Sequence, residues 1–184
     1  MNNALVSSRS VSSSLVGKIL GAGGFTILLC FSAYVKIPLP FTPVPVTLQN
    51  LVVVLAGAVL GPSLGVASVA GYLLLGAVGT PLFANSGAGL AYLAGPTGGY
   101  LWGFLLAAWT VGAMVRSCKK KNVLLIGIVM AIGMLVIYAA GAFWLSVGFR
   151  WPMDKIILLG VLPFVGADMA KVLIGAVVYQ RSRR

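Results

Sequence analysis

The 184-residue chain contains no histidine and no glutamate, and its only acids are Asp154 and Asp168. Those gaps exclude most hydrolytic chemistry: no Ser-His-Asp set, no paired catalytic carboxylates and no zinc site of the usual kind. The glycine run ending in Lys-Ser/Thr that cradles nucleotide phosphates is also missing, so ATP is not bound by that route. Gly95-Pro96-Thr97-Gly98-Gly99 has the glycines of such a cradle but neither the preceding strand nor a basic residue, and reads as a turn opening a helix. Two cysteines, Cys30 in an apolar run and Cys118 in a basic loop, give no disulfide framework. Charge is scarce throughout. With 8% charged and 60% hydrophobic residues and a mean hydropathy of +1.06, the chain carries more apolar surface than a soluble domain of its size can hide. It reads as a multi-pass membrane protein and not as an enzyme.

What is present is arranged in six apolar runs. Residues 1–15, rich in Ser and Asn, read as a flexible cytoplasmic tail, and 16–184 as one transmembrane binding domain. The spans are expected near 19–35, 43–60, 64–78, 98–115, 123–147 and from 155 onward. A cleaved signal peptide does not fit the first, which is too long and is followed by five more. Residues 36–45 hold Pro38, Pro40, Pro43 and Pro45, which preclude regular helix and predict a stiff loop. Thr42 is placed to cap the second helix with Pro43 at its first position. Residues 80–97 form a second irregular, Gly-rich, uncharged stretch.

The net charge of +11 would suit nucleic acid, but its placement argues for a membrane instead. Arg9, Lys18, Arg116, Lys119, Lys120, Lys121, Arg181, Arg183 and Arg184 fall on one side of a six-span topology. Lys36, Arg150 and Lys155 fall on the other. Nine against three puts both termini in the cytoplasm. The fold class is therefore all-α, a six-transmembrane-helix bundle with both irregular loops outside.

Asp168 and Lys171 are the one acid and base deep inside an apolar run. At ~1.5 Å per helical residue Asp168 lies ~20 Å from one end of the run and ~16 Å from the other, where a charge costs roughly 2.5–3.5 kcal/mol. Three residues apart, they share a helix face. A structural ion pair stapling two helices is the plain reading; a polar binding site is the functional one. Pro163, five residues before Asp168, removes a hydrogen bond to the Leu159 carbonyl and predicts a kink.

Four stretches carry a family resemblance: Ile37-Pro-Leu-Pro-Phe-Thr-Pro-Val-Pro-Val-Thr-Leu-Gln49, Tyr72-Leu-Leu-Leu-Gly-Ala-Val-Gly-Thr-Pro-Leu-Phe-Ala-Asn85, Gly95-Pro-Thr-Gly-Gly-Tyr-Leu-Trp-Gly-Phe104 and Asp168-Met-Ala-Lys171. Together they resemble the BioY family, the biotin-specific S components of energy-coupling-factor (ECF) transporters. The resemblance implies a high-affinity biotin-binding subunit in a bacterial plasma membrane, with the first outer loop closing its site. It implies as partners the lipid bilayer, an ECF transmembrane coupling protein and two cytoplasmic ATPases, with no nucleic acid. Biotin is then cargo, and no cofactor is implied. By resemblance Asn85, Asp168 and Lys171 match polar positions of the biotin site, with Gln49 and Tyr100 beside them. The Ala-x-x-x-Ala seam that many S components carry on helix one is replaced here by Gly17-x-x-x-Gly21 and Leu29-x-x-x-Ala33.

Biotin offers a cyclic urea, an apolar sulfur ring and a carboxylate tail. Asp168 can accept from the urea, Asn85 can donate to its carbonyl and Lys171 can meet the carboxylate. The alternative is an ion-coupled or solitary secondary carrier for a small carboxylated vitamin, with Asp168 as its relay. No 3+3 inverted repeat of the kind such carriers use is visible.

Overall fold

The computed structural model describes residues 3–119 and 122–182, with side chains from residue 15 onward. In chain order the helices are α1 (Asn3–Ser32), α2 (Gln49–Leu60), α3 (Pro62–Ala77), a short α4 (Gly89–Ala94), α5 (Gly98–Ser117), α6 (Val123–Phe149), α7 (Met153–Ile156) and α8 (Leu162–Arg181). A π-helical segment, Ile157–Val161, joins α7 to α8, so that the last rod runs unbroken over Met153–Arg181. Six apolar rods result, in keeping with the six runs of the sequence. Leu15–Ser32, α5, α6 and the last rod are long and apolar enough to cross a membrane; α2 and α3 are shorter. Helical backbone begins at Asn3. The side chains of the expected tail up to residue 14 lie outside the described residues, as do Lys120, Lys121, Arg183 and Arg184.

α5 occupies the centre, packed against α2, α3 and α6, while α8 lies against α6 and α2. Bare backbone sets these distances. A Cβ on Gly57 of α2 would sit 2.4 Å from the Ala108 carbonyl oxygen of α5, so only glycine permits this approach. The core between them is aliphatic, with Val53, Val54, Val69, Val111 and Ile137 fully enclosed. α1 is peripheral: only 11% of Leu15–Ser32 is buried, and Ile19, Leu20, Leu28 and Phe31 point outward, as lipid-facing side chains do.

Two expectations are corrected. The second helix starts at Gln49, not at Pro43. A residue preceding proline is driven out of the α region, so Val44 before Pro45 cannot be helical. The Thr42 hydroxyl instead accepts from the Val44 amide at 3.3 Å, closing a local turn. Beyond it the chain forms a two-stranded antiparallel ribbon, β1 (Lys36–Ile37) with β2 (Val46–Thr47), in register Lys36 to Thr47 and Ile37 to Val46. The stretch 80–97, expected to be irregular, contains a 3₁₀ turn at Ala84–Ser86 as well as α4.

α2 has 12 residues, or roughly 18 Å, against a hydrocarbon core of about 30 Å. The buried β2 ahead of it fills part of the missing depth.

Candidate functional site

Beneath the ribbon, side chains of β2, α2, α4, α5, α6 and α8 enclose a cavity of about 520 Å³ counted out to its mouth. Val44, Leu101, Phe104 and Phe164 give it apolar walls, and a polar group sits at its floor.

That group is built around Asp168, which is 3% exposed. Lys171 of the same helix approaches Oδ1 at 2.5 Å. Oδ2 accepts from Asn50 Nδ2 at 2.9 Å and from the Tyr138 hydroxyl at 2.6 Å. Lys171 Nζ also donates to the Thr47 carbonyl of β2 at 2.7 Å. Desolvation would make a lone carboxylate or ammonium here very costly, and the pair persists because each charge is hydrogen-bonded on several sides. One N–H of Lys171 and one acceptor direction on Asp168 Oδ1 are left over. The arrangement can therefore offer a ligand one cationic donor and one anionic acceptor, side by side.

The proline in the last rod has a local consequence other than a simple kink. Val161 departs to φ −127°, ψ −61° beside the π-helical turn. The Tyr100 hydroxyl donates to the Gly160 carbonyl within that turn at 2.8 Å.

Of the five expected site residues, four line the cavity: Gln49, Tyr100, Asp168 and Lys171. Gln49 donates to the Tyr72 hydroxyl at 2.5 Å, and Tyr72 in turn donates to the Leu82 carbonyl at 3.3 Å. Asn85 is not among the lining residues; its neighbour Ala84 is. It is exposed at the rim with φ 60°, where its Oδ1 accepts from Lys36 Nζ at 2.7 Å. The ribbon is thus tied to the loop after α3 by Lys36, and the turn just before it by the Tyr34 hydroxyl, which donates to the Pro81 carbonyl at 2.8 Å. Sequence reasoning missed Asn50 and Tyr138 as partners of Asp168. Each is polar in an apolar helix, the one signal available. Tyr92 and Thr97 line the mouth. Burial pushes the Tyr92 phenol above its ordinary pKa, partly offset by a hydrogen bond with Thr97, so it is a neutral donor at physiological pH. No group of three metal-ligating side chains occurs among the described residues.

The family model described as the BioY family matches residues 3–184. The biotin transporter BioY of Thermotoga maritima is 40% identical over 167 residues, 91% of this chain and 96% of that protein. The probable biotin transporter BioY of Pyrococcus horikoshii is 40% identical over 148 residues, 79% of this chain and 85% of that protein. A crystal structure of the S-component for biotin from an ECF-type ABC transporter matches with a TM-score of 0.87 at 28% identity. The match covers 93% of each chain.

Proposed function

The chain belongs to the BioY family, and from that premise we propose that it is the biotin-binding membrane subunit of an ECF-type uptake system in a bacterial plasma membrane. The observation that carries this reading is the buried Asp168–Lys171 pair, held by Asn50, Tyr138 and Thr47 at the floor of a cavity with apolar walls. A urea N–H can donate to the remaining direction on Asp168, and a carboxylate can accept from the remaining N–H of Lys171. The aromatic and aliphatic walls suit the sulfur ring and its chain. Asn85, at the rim, is engaged through Oδ1 with Lys36, which leaves its amide N–H groups as donors.

The site holds and releases; it makes and breaks no bond. The sequence offers no nucleotide site, so accumulation needs an energy source outside this chain, and we assign that role to a transmembrane coupling protein with two cytoplasmic ATPases. The purified protein should bind labelled biotin saturably, with no ATPase activity. In proteoliposomes it should show no uphill uptake. Absence of saturable biotin binding would overturn the ligand, and accumulation driven by a proton gradient would favour the secondary carrier.

A further inference from the structure

At the end of the bundle opposite the ribbon, a second concavity opens between α1, the α2–α3 turn and the C-terminal turn of α5. It measures about 1050 Å³ counted out to its mouth and is bordered by Lys18, Leu60, Pro62, Ser63, Gly112 and Arg116. We propose that it binds the phosphate-bearing headgroup of an anionic lipid from the adjacent leaflet.

The first argument is charge. The chain has two acidic side chains. Asp168 is committed to Lys171, and Asp154 opens α7 at the other end of the bundle. Lys18 and Arg116 therefore border one groove with no side-chain carboxylate that could neutralise them. The second is rigidity. A Cβ on Gly112 would lie 2.5 Å from the Pro62 nitrogen, so α5 and the start of α3 touch backbone to backbone and fix the groove's floor. The third is the first turn of α3, which has Pro62 at its start and no side-chain cap. Pro62 has no N–H and Gly65 already donates to the Gly61 carbonyl at 2.9 Å, so the amides without helical acceptors are those of Ser63 and Leu64, at the positive end of the helix dipole. Two cations over such a turn suit a phosphate.

A lipid is favoured over free phosphate by the groove's surroundings. Leu15, Val16, Ile19 and Leu20 next to Lys18 are each more than half exposed; these give acyl chains a surface that a soluble anion would not use. The nine-to-three distribution of basic residues puts this end in the cytoplasmic leaflet, where anionic headgroups attract basic side chains.

The test uses the full chain in micelles holding equal phosphatidylglycerol and phosphatidylcholine, with retained lipid read by native mass spectrometry. The parent should retain phosphatidylglycerol preferentially. Lys18→Gln/Arg116→Gln should lower that preference roughly tenfold or more, as expected for two basic side chains at a membrane surface. Lys119→Gln/Arg181→Gln, at the same end but outside the groove, should keep it, and so should the charge-conserving Arg116→Lys. Biotin binding reports that each variant is folded. Equal loss in both double variants would mean a diffuse basic surface and overturn the site, as would no loss in the groove variant. Displacement of the lipid by millimolar inorganic phosphate, with the same sensitivity to Lys18 and Arg116, would overturn the lipid assignment in favour of a soluble anion.

Discussion

Lys171 has two protein acceptors, the Asp168 carboxylate and the Thr47 carbonyl, so it joins the floor of the chamber to its roof. Truncating it does two things at once: it loosens the roof and removes the cation that faces a ligand carboxylate. Comparing biotin with its methyl ester, on the parent and on Lys171→Ala, separates them. Loss of the roof contact falls equally on acid and ester. Loss of a direct carboxylate contact falls on the acid alone and should amount to about 1 kcal/mol or more, on the scale of about 0.5–3 for touching groups. Acid binding should weaken well over tenfold, since removing one partner of a buried charge pair costs roughly 2–5 kcal/mol. Equal losses in titration calorimetry would make Lys171 a structural staple. These two charges were legible in the sequence because an ionised group in an apolar run is conspicuous. Tyr138 and Asn50 were not, because a tyrosine or amide in a membrane helix is common and only the fold aims both at Asp168 Oδ2.

Among the elements, the ribbon is the one whose rigidity is written in its composition. Its prolines restrict the open chain, so less freedom is lost when the roof closes. Each proline contributes about 0.4–1 kcal/mol by this route. Replacing Pro38, Pro40 and Pro43 with Gly should therefore speed biotin release roughly tenfold, measured by chasing labelled biotin with unlabelled. A dissociation rate within about twofold of the parent would show that the ribbon is not the lid. That residues 36–42 are not helical followed from proline chemistry alone. Their pairing as β1 and β2 did not, since two-residue strands leave no periodicity to read. The start of α2 was misplaced for a related reason: a Thr-Pro pair suits a helix start and a tight turn equally, and the second proline at Pro45 decides for the turn.

For the molecule as a whole, the helical spans are what composition reached furthest, and orientation is the expectation it leaves to be tested. Long apolar runs and the asymmetry of basic residues both act over whole segments, so neither needs tertiary contacts to be read. A cysteine placed at Ser86, exposed in the turn before α4, should react with an impermeant maleimide added to intact cells. Native Cys118, at the other end of α5 from the ribbon, should react only after permeabilisation. Labelling of Cys118 in sealed cells would invert the topology. What composition could not reach was which faces meet. In a membrane the outward faces are as apolar as the inward ones, so the pattern that marks a buried stripe in a soluble helix is erased.

The π turn in the last rod sets the rotational phase of everything beyond it. Buried positions before the charges fall at Ile156, Gly160, Phe164 and Asp168, which is 12 residues for three turns. An α-helix fits about 10.8, and the surplus of about one residue is what a single π turn absorbs. From Asp168 to Tyr179, also buried, three turns take 11 residues, the ordinary pitch. Deleting Leu158, an exposed residue of the turn, should restore a uniform screw and rotate α8 by about 100° relative to α7. Asp168 and Lys171 would then swing toward lipid, at roughly 2.5–3.5 kcal/mol each, and saturable biotin binding should be lost. Leu158→Val keeps the count and should bind as the parent does; equal behaviour of the deletion and the exchange in a binding assay would refute the phase argument. The rotational phase of the site therefore depends on the number of residues between Ile156 and Leu162.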